Sequence, residues 1–287
     1  MTLVLAIVAG VLIGLSLGAL GGGGSILAVP VLVYALDQSP AQATTGSLVV
    51  VGVTSLIGAI TAYRAGNVLL GRGVTFGLLA IGGAALGAKA SALVSEAVLL
   101  AAFAMLMMAV GGLMAVRQLR AHRASNGAQA GPQTGVRQTG RRALDVPIIT
   151  FSPTFACQCP RALKVLITAT VVGLLTGFLG VGGGFLVVPA LLLALALPME
   201  YAAGTSLVVV TLTSTAALAV RAGVGVAPDW GLVLVLTAAS ALGGFLGANL
   251  ADRIDTSRLS AAFTILVIVV AVYTAARALP ALSLIHI

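Results

Sequence analysis

Two glycine-rich tracts, GGGGS at residues 21–25 and GVGGG at residues 180–184, interrupt an otherwise strongly apolar chain. A glycine inside a helix costs about 1 kcal/mol relative to alanine, so a continuous helix should not form through either tract. In a lipid bilayer, a broken backbone is tolerated only where protein buries its free N–H and C=O groups or a wet cavity solvates them. Two such breaks therefore predict a polar site inside the protein.

The composition is that of a membrane protein. Hydrophobic residues make up 60% of the 287-residue chain and charged residues 8%, against roughly 45–50% and about 25% in soluble domains. Eight apolar runs approach the roughly 20 residues that a membrane-spanning helix needs. They cover residues 2–20, 45–63, 74–94, 97–116, 166–179, 206–220, 231–250 and 259–276. We therefore predict an all-α, polytopic membrane protein.

The second half of the chain repeats the order of motifs found in the first. A shift of 159 positions aligns the two glycine tracts and also places residues 47–51, SLVVV, on the identical residues 206–210. Internal duplication is the usual architecture of secondary transporters, whose binding site lies at the interface of the repeats. We expect two homologous membrane repeats, residues 1–116 and 164–287, joined by a loop at residues 117–163.

The short apolar stretches after the tracts, residues 26–36 and 185–195, leave two arrangements open because neither is long enough to span a bilayer alone. If they are re-entrant, each half has about four spans, and Arg64 and Arg221 lie on the same side as the basic loop, as the positive-inside rule prefers. If they cross, the chain makes about ten crossings and the repeats are inverted. The charge distribution favours the first arrangement.

The loop at residues 117–163 carries seven arginines and one acidic residue, Asp145. The positive-inside rule predicts that it is cytoplasmic in an inner-membrane protein, and its Gly, Gln, Pro and Ser content predicts poor order. Because topology explains these basic residues, no nucleic-acid partner is expected. Cys157 and Cys159 are interpreted as incidental thiols, with a role in sulfur chemistry as the alternative. No metal or other cofactor is expected.

Each glycine tract leads into a short helix, whose first turn would offer unpaired N–H groups and a partial positive charge to an anion. Matched hydroxyl residues on the following helices form a second polar layer, which also includes Thr45, Ser55 and Ser214. The residues that we expect to contact a substrate are Gly21, Gly23, Gly24, Ser25, Ser47, Thr54, Gly180, Gly182, Gly183, Gly184, Thr205, Ser206 and Thr213, with Pro30 and Pro189 as structural breaks. The alternative, that the glycines serve only close helix packing, stays open.

Catalysis is not expected from this inventory. No predicted membrane segment carries a histidine, a cysteine or a pair of carboxylates, so nucleophile–base pairs and common metal sites cannot be assembled within the bilayer. A non-enzymatic membrane function is therefore predicted.

Taken together, the glycine tracts, their prolines, the TGSL and GTSL motifs at residues 45–48 and 204–207, and the repeated Arg-Ala-Gly resemble the sulfite exporter TauE/SafE family. The resemblance implies an integral inner-membrane permease for sulfite, sulfoacetate or other sulfonates. The first tract departs from the family pattern, with Gly22 in place of valine and Ser25 in place of the last glycine. We expect a secondary transporter of small anions in which one half rocks against the other. The alternative is a channel-like or scaffolding component of the bilayer, and a homodimer stays open.

Overall fold

The computed structural model describes residues 2–127, 159–180, 182–195, 197–222 and 228–251, with single residues at 265, 268, 269 and 272. All regular structure in these residues is helical, as predicted. The helices are α1 (Thr2–Leu20), α2 (Pro40–Arg64), α3 (Leu70–Ser91), α4 (Glu96–Gly127), α5 (Cys159–Leu179), α6 (Gly184–Ala194), α7 (Met199–Arg221) and α8 (Trp230–Ala251). Between α1 and α2 lies a first short segment, made of a 3₁₀ helix (Gly21–Leu27), one α-turn (Ala28–Pro30) and a π-helix (Val31–Ala35).

The described part of the chain has the surface of a membrane protein. Within it, α2, α3, α7 and α8 supply four helices long and apolar enough to cross a membrane, and α1, α4 and α5 contain shorter apolar stretches. Large apolar side chains such as Leu78 on α3 and Leu242 on α8 are exposed, as expected for surfaces that contact lipid. The predicted polytopic membrane class is confirmed. The predicted span at 259–276 lies outside the described residues, apart from the four single positions.

Helices α1, α2 and α8 run in the same direction and form what we name group A. Small residues let these helices approach closely, as is common in membranes. In each pair, residue numbers at the contacts increase in the same direction on both helices. Gly10 of α1 contacts Ala239 of α8 and Gly18 contacts Ala248, while Gly46 of α2 contacts Val233 of α8 and Thr54 contacts Gly244. Group A therefore combines α1 and α2 with α8 from the other predicted repeat.

Helices α3, α5 and α7 form group B and are likewise parallel to one another. Their contacts are Gly83 with Thr170, Gly87 with Leu174, Gly73 with Thr205, and Gly77 with Leu212. The two groups meet where α2 packs against α7, and there the order of contacts reverses, with Gly52 beside Ser214 and Gly58 beside Leu207. Group B therefore runs antiparallel to group A.

The helix directions bear on the two arrangements left open by the sequence. Because α1 and α2 run in the same direction, the first short segment must carry the chain back between them, and α6 does the same between α5 and α7. These directions favour the inverted arrangement over the eight-span arrangement that the charges favoured. Arg64 and Arg221, at the ends of antiparallel helices, consequently lie at opposite ends of the protein. The duplication itself stays a prediction.

The connection between α4 and α5 contains fewer non-helical residues than the predicted loop at 117–163, because helices extend into it from both sides. Helix α4 continues to Gly127 and α5 begins at Cys159, so both enter the stretch at 117–163. Residues 128–158, with Cys157, lie outside the described residues. Because α5 is parallel to α3, α5 begins at the end of the protein where α3 begins and α2 ends.

Candidate functional site

The backbone breaks at both glycine tracts, as predicted. Helix α1 ends at Leu20 and α5 at Leu179, and the next residue in each case, Gly21 or Gly180, has a φ of +68° or +65°. Only glycine adopts this left-handed conformation without strain. The prolines are placed differently: Pro30 ends the single α-turn, whereas Pro189 lies inside α6, which continues to Ala194. The second interruption therefore lies at the glycines.

The two tracts cross each other in the protein interior. Gly22 and Gly184 are both buried, and a Cβ on either residue would overlap backbone atoms of the other. Gly21 and Gly180 press against the backbones of Ala203 on α7 and Thr44 on α2, which the shift of 159 also matches. The tracts thus come together as the sequence predicted, with backbone packed directly on backbone.

Ser47 and Ser206 each hold a glycine tract of the opposite half. The Ser47 hydroxyl lies within hydrogen-bond reach of the Gly180 and Thr44 carbonyl oxygens. The Ser206 hydroxyl accepts a hydrogen bond from the Gly22 N–H at 3.1 Å and donates one to the Ala203 carbonyl at 2.7 Å. Both serines are fully buried. Their observed contacts fix the position of the broken backbone.

Four other predicted contact residues have hydroxyls that form hydrogen bonds within the protein. Thr54 donates to the Val50 carbonyl at 2.7 Å and Thr213 to the Val209 carbonyl at 3.0 Å. The hydroxyl of Thr205 accepts a hydrogen bond from the Leu69 N–H at 3.1 Å. In the first tract, the Ser25 hydroxyl donates to the Gly22 carbonyl at 2.8 Å. Gly23 lies in the 3₁₀ helix Gly21–Leu27. These threonines and Ser25 are buried, so they help to line the polar interior.

Ser55 on α2 and Ser214 on α7 differ from the other hydroxyls around the tracts. Both are buried, at 0% and 1% exposure, and neither hydroxyl has a hydrogen-bond partner among the described residues. Ser214 Oγ lies 3.2 Å from where a Cβ on Gly182 would stand, so it faces the second tract. From their positions in the sequence, both serines are expected in the polar layer but are not among the predicted substrate contacts. The alignment of Ser55 with Ser214 at the shift of 159 is the sequence signal that could have identified them as site residues.

Arg221, at the end of α7, is a charged residue that contacts Thr44, the α2 residue packed against Gly180. It is half-buried, and its guanidinium donates to Thr44 Oγ1 at 2.9 Å, Ser91 Oγ at 2.6 Å and the Gly177 carbonyl at 3.2 Å. These hydrogen bonds hold the Arg221 guanidinium within the protein, whereas the positive-inside rule concerns basic residues in the loops. Counting Arg221 as a loop residue is what favoured the eight-span arrangement.

No group of three or more His, Cys, Asp or Glu side chains that could hold a metal ion occurs in the ranges described above. The polar groups that surround the tracts are hydroxyls and backbone amides. Their chemistry suits the binding of hydrogen-bond acceptors, an anion included.

A comparison with protein families gives a match over most of the chain: the model described as "Sulfite exporter TauE/SafE" covers residues 6–274. The chain belongs to the sulfite exporter TauE/SafE family. The resemblance inferred from the glycine motifs is thereby confirmed, and this TauE/SafE chain is a membrane transporter. The family indicates a transporter rather than an enzyme.

Similar proteins carry compatible names. Two from Xylella fastidiosa, strains Temecula1 and 9a5c, are each called "Probable membrane transporter protein" and are 34% identical over 278 residues, covering 95% of this chain and 94% of each relative. "Probable membrane transporter protein YunE" from Bacillus subtilis is 26% identical over 282 residues, covering 94% of this chain and 96% of the relative. No solved structure matches the TauE/SafE chain.

Proposed function

We propose that this protein is a secondary transporter of small anions, with sulfite, sulfonates and related sulfur-containing organic anions as substrates. One observation carries the proposal: two glycine breaks cross at Gly22 and Gly184, and the unpaired hydroxyls of Ser55 and Ser214 lie buried on the helices around them. An unsatisfied buried polar group costs about 1–3 kcal/mol. A bound substrate would remove that cost for both serines.

The chemistry of this interior favours an anion over a cation. Serine hydroxyls and backbone N–H groups donate hydrogen bonds, and α6 begins at Gly184 with the partial positive charge of a helix N-terminus. Sulfite and sulfonate oxygens are hydrogen-bond acceptors. The name of the family supports sulfur oxyanions as the first substrates to test.

Alternating access would follow from a rocking of group A against group B. The sequence suggested that one repeat would move against the other, but α1 packs on α8 and α3 packs on α5, so each closely packed pair joins both repeats. The contact between α2 and α7 links the groups and contains Ser55 and Ser214. Motion there would expose these hydroxyls to one side of the membrane at a time.

For the orientation, we propose an inner-membrane protein whose connection between α4 and α5 faces the cytoplasm, following the positive-inside rule. Arg64 and Arg72 would then lie at the cytoplasmic end, and Arg221 at the outer end. Impermeant labelling of a cysteine introduced next to Arg64 would test this placement.

Flux in proteoliposomes tests the function. We expect saturable uptake of sulfite or a sulfonate, and Ser55→Ala with Ser214→Ala should lower kcat/KM about tenfold or more, as expected when hydrogen bonds to a charged ligand are lost. Thr215→Ala is the matched control, because Thr215 follows Ser214 on α7 but is exposed and donates to the Thr211 carbonyl. Absence of flux above that of empty liposomes would refute the substrate assignment. Flux that rises linearly without saturation would instead indicate the channel-like alternative.

A further inference from the structure

Arg221 connects four helices at one end of the protein. It extends from the end of α7, and its contacts with Ser91 at the end of α3 and with Gly177 on α5 lie within group B. Its remaining close contact, the 2.9 Å hydrogen bond to Thr44 Oγ1 on α2, crosses to group A. Arg221 therefore joins the two groups that the proposed transport cycle has to separate.

The Thr44 contact also leads directly to the glycine crossing. Thr44 packs against Gly180, whose carbonyl lies within reach of the Ser47 hydroxyl. Inward of the guanidinium, Leu48, Ala88 and Ala217 from α2, α3 and α7 form a small buried apolar cluster. The guanidinium and this cluster together close the α2–α7 interface at the Arg221 end.

All of these acceptors of Arg221 are neutral. They are two hydroxyls and the carbonyls of Gly177 and Phe178 near the C-terminus of α5, and the Nε atom has no partner. In the ranges that the structure covers, no carboxylate pairs with this guanidinium. The bond to Thr44 already has an ionised donor, but only an anion also neutralises the guanidinium charge and accepts two of its N–H groups at once in a bidentate pair. An arriving anion would therefore compete successfully with Thr44 for the guanidinium.

Arg64, which the repeated Arg-Ala-Gly places as the counterpart of Arg221, behaves differently. It is exposed, whereas Arg221 is half-buried and bonded. A half-buried, hydrogen-bonded arginine is thus found at the Arg221 end and not at the Arg64 end, which makes Arg64 a matched control.

We propose that Arg221 is an anion-operated latch: it holds group A to group B through Thr44, and an anionic substrate opens that end by taking the guanidinium donors. This inference rests on the proposed transport function. It adds the residue that would bind the negatively charged group of the substrate as the substrate enters. Arginine suits this role because its planar fork can move from two hydroxyl acceptors to two oxygens of one oxyanion.

The test measures access to the closed end. In a Cys157→Ser, Cys159→Ser background, Ala217→Cys introduces one thiol into the buried cluster inward of Arg221. An impermeant thiol reagent is added to proteoliposomes, and Ala222→Cys, at an exposed position, reports which vesicles present the Arg221 end outward. Sulfoacetate is the anion added, because sulfite would consume many thiol reagents. Chloride at equal ionic strength is the control.

Arg221→Gln should raise the labelling rate about tenfold or more, as expected when a hydrogen bond from a charged donor is lost. Thr44→Val should give an increase of the same sign while leaving the arginine in place, and Arg64→Gln should leave the rate unchanged. Sulfoacetate should raise the labelling rate of the Ala217→Cys protein that retains Arg221. It should leave the labelling rate unchanged when Arg221→Gln is added.

Unchanged labelling in both Arg221→Gln and Thr44→Val would overturn the latch, and so would an equal response to sulfoacetate with and without Arg221. Flux measured in the same vesicles separates this result from the proposed function. If Arg221→Gln and Thr44→Val both raise the labelling rate but no anion flux is measured, the transport proposal is refuted. Arg221 would then still close this end of the protein, but in a protein that does not transport the anion. Flux with unresponsive labelling would refute the latch alone.

Discussion

Replacing Gly184 by alanine tests the crossing of the two tracts most directly. Gly184 is the first residue of α6 and has no positive φ, so alanine can adopt its backbone conformation. The added Cβ would nevertheless overlap the carbonyl and Cα of Gly22. Because the obstacle is backbone, no rotamer change can relieve it. The substitution therefore changes the separation of the tracts and leaves the conformation of α6 allowed.

The expected magnitude follows from two opposing effects. Alanine is favoured over glycine in a helix by about 1 kcal/mol, whereas forcing extra carbon atoms into a packed interior costs typically 1–3 kcal/mol. Gly82→Ala is the matched control, because Gly82 lies on α3 with nothing within 4 Å of its added Cβ and should show only the gain. Because both variants share the helix gain, we expect their free energies of unfolding to differ by about 1–3 kcal/mol, with Gly184→Ala the less stable.

Thermal unfolding in detergent and flux in liposomes measure the two consequences. At about 2–4 °C per kcal/mol, the Tm of Gly184→Ala should lie roughly 2–12 °C below that of Gly82→Ala. Gly82→Ala should transport at the parent rate and Gly184→Ala more slowly. Equal Tm values and equal flux in the two variants would refute the backbone crossing.

The remaining predictions concern single hydrogen bonds of known geometry. Ser206→Ala leaves the Gly22 N–H unpaired and should cost about 1–3 kcal/mol in thermal unfolding. Ser240→Ala removes only the 2.9 Å bond from α8 to the Gly10 carbonyl of α1 and should cost about 0.6 kcal/mol, so a larger loss than that of Ser206→Ala would contradict this ranking. Ser39→Ala removes the capping box at the start of α2 and should cost about 1 kcal/mol, detectable as faster amide exchange in that first turn.

The sequence predicted the helices and their breaks because these depend on local chemistry. Glycine cost and apolar length were sufficient to end α1 at Leu20 and to separate a short helical segment from α2. The direction of the helices was harder to predict, because the positive-inside rule counted Arg221 as a loop residue, whereas the structure holds it inside the protein by hydrogen bonds. That distinction requires Thr44 and Ser91, which are distant from Arg221 in the sequence.

The hydroxyl layer shows the same limit. The spacing of Ser47, Thr54 and Ser55 predicted a shared polar environment, and burial of all three agrees with it. Spacing could not show which hydroxyls are already satisfied. Thr54 donates to a carbonyl of its own helix, whereas Ser55 has no partner within the described ranges, and this difference appears only in three dimensions.

The pairing of α1 with α8 constrains how the polypeptide assembles during translation. Trp230 emerges about 210 residues after Leu20, a delay of roughly 10–40 s at typical synthesis rates. During that time α1 has to lie in the bilayer without α8, the helix against which it packs in the folded protein. Neither half of the chain is then an autonomous folding unit, and a chain severed between Gly127 and Cys159 should regain activity only when both fragments are made in the same cell.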